Sequence, residues 1–305
     1  MVFGKLKLAL GKDEKGDLTA HASQVGLTGS TIPGVCIHSE ASRILASLPI
    51  VICRQYEPKN AVAGIEEPNK YLVKSSDGRT IAQIDEEVRS STMKRSLQGN
   101  ARKYACHLTD LDLNKLLSVQ RGFSLAEVKH EVSVYTYDTP DSEGILVGTV
   151  KSKFHLVKRK YDLFLQQKTG LQLFAVAECV SAGTNFDIVS IRGEYLGSVN
   201  RAKRGGMKDA YTSTGMYVLR DARCRHDSSA SALPVEDANL YVNDPESKDA
   251  AKAVKDTAKQ PSSIIAERDM FPAERAVILA LSIAMDFQYF SYQYNTARSV
   301  GVYNV

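Results

Sequence analysis

The chain lacks most of what would let it act as a secreted, metal-dependent or catalytic protein. Its five cysteines (Cys36, Cys53, Cys106, Cys179 and Cys224) are odd in number, far apart and never paired as CxxC. They read as reduced thiols of an intracellular protein, which excludes a disulfide frame or a zinc site. The six histidines (His21, His38, His107, His130, His155 and His226) form no HExxH or other ligand spacing, so no metal is expected. No GxSxG, Walker loop or GxGxxG stands at a strand-to-helix junction, and Gly205-Gly206 after Lys203-Arg204 lacks the phosphate-loop spacing. Asp110 and Asp112 sit in a turn-like link and read as solvated acids. No enzyme site and no cofactor are therefore expected. The opening MVFGKLKLALGKDEKGD has too short an apolar run and too many early acids for a secretory signal, and only a weak case as a mitochondrial one.

What is present is the composition of a soluble globular protein, 43% apolar and 24% charged, with a mild net charge of +4. That balance permits an acidic partner without requiring one. Residues 1 to about 40 are rich in Gly, Ser, Thr and Lys without a sustained period and read as a tail or extension. From Ala41 onward short β-branched and aromatic segments alternate with turn residues.

Leu48–Arg54, Lys70–Lys74, Thr80–Glu86, Lys103–Thr109, Lys115–Arg121 and Leu125–Tyr137 read as strands. Ile145–Phe154, Tyr161–Gln166, Leu171–Glu178, Phe186–Ile191, Tyr195–Val199 and Gly215–Arg220 continue the series. Asp77-Gly78 is a hairpin signal, and Lys168-Thr169-Gly170 a tight turn. About a dozen close strands with no helical pattern between them exclude βαβ units and predict an antiparallel sandwich or barrel. A polar stretch at about 222–271 follows and reads as an insertion, with about 41–305 as the folded domain.

After the insertion comes Glu274–Phe290, ERAVILALSIAMDFQYF, a helix whose Val277, Ile278, Leu279, Leu281, Ile283 and Met285 leave no polar face. Such a helix must be surrounded by protein or by lipid. Roughly 15 residues at about 1.5 Å each reach about 22 Å, short of the roughly 30 Å of bilayer hydrocarbon, which favours protein. A barrel of about twelve strands needs a filler, and this helix is the expected one.

Basic clusters stand at strand ends and turns: Lys94, Arg95, Arg102 and Lys103; Lys151, Lys153, Lys158, Arg159 and Lys160; Arg201, Lys203, Arg204 and Lys208. Read blandly, these are solvated charges balanced by 35 acids. Read functionally, Lys158, Arg159, Lys160, Arg201, Lys203 and Arg204 form a surface for anionic phospholipid, each worth about 1 kcal/mol near an anionic leaflet. Nucleic acid is not expected, because no aromatic-and-basic strand motif of an RNA-binding sheet is present.

Two blocks, YLGSVNRAKRGGMKDAYTSTGMYVLRD at Tyr195–Asp221 and ERAVILALSIAMDFQYFS after the insertion, resemble the C-terminal signature of the phospholipid scramblase family. The resemblance covers roughly Ile44 to Ser291 and is nearest in wording to the mitochondrial, fungal-type branch. It implies a Tubby-like fold, a twelve-stranded barrel around a C-terminal hydrophobic helix, in agreement with the strand count and the filler argument. It also implies a membrane-associated, phospholipid-interacting protein. Family members of the plasma-membrane type carry a palmitoylated cysteine cluster, and the matching region around Phe123–Val134 has no cysteine. They also carry an acidic calcium segment, whose place is taken by Ser213, Thr214, Gly215 and Met216. Without a carboxylate there, calcium-independent behaviour is expected. The competing expectation is a non-catalytic scaffold or assembly subunit, with the tail and the 222–271 insertion gripping protein partners.

Overall fold

The computed structural model describes residues 35–55, 68–88, 103–122, 130–139, 142–153, 155, 158–179, 184–202, 215–222 and 266–290. Most of the proposed tail (1–34), much of the insertion, and Lys203, Arg204, Ser213 and Thr214 lie outside the described residues. A short helix α1, Ser39–Ala46, comes first. Its Ala41, Ile44 and Leu45, spaced to share one helical face, are buried in the core. The His38 Nδ1 accepts from the Glu40 amide at 3.2 Å and satisfies one of the orphan donors of its first turn.

Twelve strands then close on themselves, each antiparallel to its neighbours: β1 (Ile50–Arg54), β2 (Lys70–Lys74), β3 (Thr80–Glu86), β4 (Tyr104–Thr109), β5 (Lys115–Arg121) and β6 (Glu131–Thr136), followed by β7 (Ile145–Lys153), β8 (Arg159–Gln167), β9 (Gly170–Cys179), β10 (Asn185–Ser190), β11 (Tyr195–Ala202) and β12 (Met216–Asp221). Sequential neighbours pair throughout, and closure comes from β1 against β12, with Ile50 opposite Leu219 and Cys53 opposite Met216. Closure leaves no free sheet edge to recruit other chains. Period-two alternation puts Ile50, Ile52, Val119, Tyr161, Leu163, Val199 and Tyr217 on the inner wall, all in one apolar cluster. Gly78, at φ 90°, supplies the left-handed residue of the β2–β3 turn.

The interior is filled by α2, Pro272–Met285, continued by a π-helical turn, Asp286–Phe290. Pro272 opens the helix where its missing N–H costs nothing, and the Glu274 Oε2 accepts from the Phe271 amide at 2.8 Å. Every residue from Ala273 to Met285 is buried, so all the apolar faces of α2 are used. Gly148 of β7 makes room for it: a Cβ there would lie 2.7 Å from Val277 Cγ2 and 2.2 Å from the Phe164 carbonyl oxygen.

Ion pairs fix the N-terminal end of α2 at one rim. Arg268 donates to both carboxylate oxygens of Glu274 at 2.8 Å, and Arg275 pairs with Asp221 of β12 at 3.2 Å. The segment before the helix bridges to β11, with the Tyr195 amide donating to the Ala266 carbonyl at 2.9 Å.

Candidate functional site

The rim at the other end of α2 carries the chemistry. Odd-numbered strands end there and even-numbered strands begin there, so their terminal inward residues form one layer. In β1, Ile50 and Ile52 point inward and therefore so does Arg54. The same parity turns Glu86 of β3, Arg121 of β5, Arg159 of β8 and Arg201 of β11 inward. His130, two residues before the inward Val132, joins them.

The π-helical turn sits inside this layer. Asp286, fully buried, accepts from the Tyr71 hydroxyl at 2.7 Å and the Tyr217 hydroxyl at 2.6 Å, and pairs with Arg54 at 3.2 Å. Arg54 also donates to Asn69 Oδ1, and the Asn69 amide donates to Glu86 Oε2 at 2.9 Å. Burial, with the Asp286 charge second, raises the Tyr71 and Tyr217 hydroxyls well above the usual phenol range, so both remain donors. Phe287 stacks on Tyr104 with centroids 3.8 Å apart. Gln288 Oε1 accepts from the Tyr161 hydroxyl at 2.7 Å, and the Arg159 guanidinium lies 3.9 Å over the Tyr289 ring. Residues of β1, β2, β4, β8 and β12 thus touch one helical turn, which only a central position allows.

His130 is 2% exposed, and among the described residues neither of its ring nitrogens has a hydrogen-bond partner. Burial, reinforced by the Arg121 charge, holds its pKa down to about 3, so the ring is neutral.

The candidate lipid-binding residues divide between two faces. Lys158 and Lys160 lie on the outer wall against Glu178, at 3.7 and 2.7 Å. Beside them Lys153 pairs with Asp162 and Lys151 with Glu131, each at 3.1 Å. Because Lys153 and Lys160 are directly opposite across β7 and β8, these acids also relieve a like-charge contact. Arg159 and Arg201 face inward instead. Gly215 immediately precedes β12 and Met216 opens it, and the Gly215 carbonyl accepts from the Arg54 amide at 2.8 Å. The outer lysines thus each lie against a carboxylate, whereas Arg54, Arg121, Arg159, Arg201, Glu86 and Asp286 face the interior. Sequence reading overlooked Arg54, Arg121, Tyr71, Tyr217 and Asp286 as site residues. Extending the period-two pattern by one step past each apolar pair would have found the two arginines.

Among the described residues no group of His, Cys, Asp and Glu is placed to hold a metal, and no helix is long and apolar enough to cross a membrane. The rim gathers cations, phenols and aromatic faces around the π-helical turn.

A family model described as Scramblase matches residues 30–292. The chain is 29% identical over 279 residues to a phospholipid scramblase family protein of Schizosaccharomyces pombe, covering 90% of this chain and 68% of that protein. It is 26% identical over 299 residues to the Altered inheritance rate of mitochondria protein 25 of Saccharomyces cerevisiae, covering 91% of this chain and 82% of that protein. No solved structure matches it.

Proposed function

We propose, on the premise that this chain belongs to the scramblase family, that it binds anionic phospholipid and moves phospholipid between leaflets without calcium. The observation that carries the reading is the family match across residues 30–292. The basic and aromatic rim supports it by supplying groups suited to a head group, and the filled barrel agrees with the Tubby-like architecture expected of the family. Calcium independence rests on the sequence at 213–216, which offers hydroxyls and no carboxylate. A mitochondrial membrane is the proposed location, motivated by the name of the Saccharomyces cerevisiae relative.

The test is flotation of the purified chain with vesicles of phosphatidylcholine and phosphatidic acid, followed by transbilayer movement of a fluorescent lipid, with and without a calcium chelator. Binding that weakens with salt is expected, since exposed charges are screened over about 8 Å at physiological ionic strength. Lipid movement should be indifferent to the chelator. Absence of flotation at low salt would overturn the reading.

One observation favours a second reading. With α2 enclosed, the described residues contain no helix left to enter a bilayer. In this reading the barrel is a scaffold of a membrane-associated complex, gripped through the tail at 1–40 and the insertion at about 222–271. Native purification as a stable multi-subunit complex, with no vesicle binding by the isolated chain, would select it.

A further inference from the structure

One stretch of the outer wall carries an apolar band that the core does not use. Leu163, Leu165, Ala175, Ala177, Phe186 and Ile188 face the interior, so alternation turns Phe164, Val176 and Val189 outward. Leu173 lies opposite Phe164, and Val176 of β9 lies opposite Val189 of β10. Leu171, opposite Gln166, ends the band and is 39% exposed. Single apolar side chains on a surface are ordinary, whereas a contiguous group of them marks a contact.

The band ends on a projection. Pairing of β7 with β8 reaches Gly148 and Leu165, and pairing of β10 with β9 reaches Ser190 and Ala175. Past those pairs the ladder of β8 with β9 continues to Gln167 and Gly170. At about 3.4 Å per residue the tip of this hairpin stands roughly 10 Å beyond the paired wall, at the rim where α2 begins. Its turn holds Lys168, which is exposed. The Ile191 amide donates to the Phe174 carbonyl at 3.0 Å and so brings the β10–β11 turn, with the exposed Arg192, alongside. Glu194 of that turn is engaged elsewhere, by the Ser190 hydroxyl at 3.0 Å and Arg268 at 3.4 Å. On the β7 side the Lys151 Nζ lies 5.2 Å from the centre of the Phe164 ring.

A narrow apolar tip flanked by cations suits a bilayer better than a protein. A stable protein interface needs about 800 Å² per partner and keeps lysine out of its centre. An anionic bilayer accepts apolar side chains at the acyl boundary and cations at the phosphates in one approach. The β4–β5 turn at the same rim exposes Leu111 and Leu113 as well, but Asp110 and Asp112 stand among them and an anionic leaflet would repel it.

We propose that the β8–β9 hairpin is the element that enters an anionic bilayer surface, with Leu171 as its deepest side chain and Lys168 and Arg192 against the lipid phosphates. The proposal rests on the phospholipid reading and names the surface that meets the membrane. A barrel lying on this side, its axis near the plane of the bilayer, enters with the hairpin and keeps the rim around Asp286 beside the head groups.

The experiment uses the full chain and vesicles of phosphatidylcholine with phosphatidic acid. The chain has no tryptophan, so Leu171→Trp supplies a sole indole at the tip. Its emission should move to shorter wavelength on vesicle binding and be quenched by lipids brominated on their acyl chains. Val88→Trp, beyond the end of β3 on the far side of the ring, and Leu111→Trp should keep the emission of an indole in water. Leu171→Gln, which leaves the core untouched, should weaken vesicle binding roughly tenfold. Lys168→Gln and Arg192→Gln should each weaken it about fivefold at low salt.

The proposal is overturned if the chain floats with vesicles while the indole at 171 stays in water, a result that leaves the lipid reading standing. It is overturned also if Leu171→Gln binds vesicles as tightly as the parent chain. Burial of that indole in a protein complex, with vesicles having no effect on it, would make the hairpin a protein contact instead. Absence of flotation by the parent chain removes both the hairpin contact and the lipid reading.

Discussion

Replacing Asp286 should cost more stability than any other single polar change in the described residues. Asp286→Ala leaves the Arg54 guanidinium, 1% exposed in its side chain, without its buried counter-charge and strands two phenols that donate at 2.6 and 2.7 Å. Breaking a buried ion pair from one side costs about 3–5 kcal/mol. Hydrogen bonds to a charged acceptor are worth about 1.5–3 kcal/mol each, but those losses overlap with the first and do not simply add. We expect about 4–6 kcal/mol in all, against a total of about 5–15 for a domain. Asp286→Asn, which keeps an acceptor for one tyrosine, should cost about 3 kcal/mol because the buried carboxylate that Arg54 pairs with is neutralised.

The decisive comparison is the double variant Arg54→Met with Asp286→Leu. Removing both charges should recover much of the loss, since apolar replacements of buried pairs are often neutral or better. Urea unfolding followed by circular dichroism measures these proteins together with the single variants Arg54→Met and Asp286→Leu. The reasoning fails if Asp286→Ala lies within about 1 kcal/mol of the parent, or if the single losses add in the double within about 0.5 kcal/mol.

Three further outcomes are expected. Leu281→Asp puts an unpaired charge into a fully buried face of α2 and should abolish cooperative folding; soluble, natively unfolding protein would count against the central placement. Gly148→Ala should lower stability by about 1–3 kcal/mol, read as a reduced urea midpoint, because its methyl would overlap the Phe164 carbonyl and Val277. His130 is held neutral in the fold with its pKa near 3, below the value of about 6.5 that the unfolded chain would show. Its contribution is therefore complete above about pH 6.5 and is lost as pH falls toward 3, at about 1.4 kcal/mol per pH unit. The His130→Gln variant should show a correspondingly shallower acid limb in stability measured against pH.

The strands were legible because two-residue alternation and turn chemistry act locally. The range Ile145–Phe154 read from sequence differs from β7 by one residue, and Thr80–Glu86 coincides with β3. The central helix was legible for a different reason: an apolar run without a polar face has to be enclosed. Helix α1 was missed because only Ala41, Ile44 and Leu45 anchor it, and Ile-Leu beside the run at Leu48 reads equally as strand. At the rim, the basic character of 158–160 was visible but its division was not used. Alternation sends Arg159 inward and its neighbours outward, so three adjacent cations in sequence serve two faces. The partners of Asp286 were beyond sequence reading. Tyr71 and Tyr217 are 215 and 69 residues away from it in the chain, and only closure of the barrel brings them together.

Because α2 follows all twelve strands, the ribosome delivers the wall of the barrel before the object that fills it. Every inward Ile, Val and Leu from β1 to β12 emerges into solvent while α2 is still unmade, with the polar stretch of about 222–271 yet to be translated between them. Closure of β1 on β12 around an empty centre would leave the whole inner wall without contacts. The barrel and its filler must therefore condense together and late. Until then the nascent strands present unpaired edges of the kind that chaperones bind. The order of elements along the chain makes synthesis a period of exposure, which ends when the π-helical turn after α2 sets Asp286 on Arg54, Tyr71 and Tyr217.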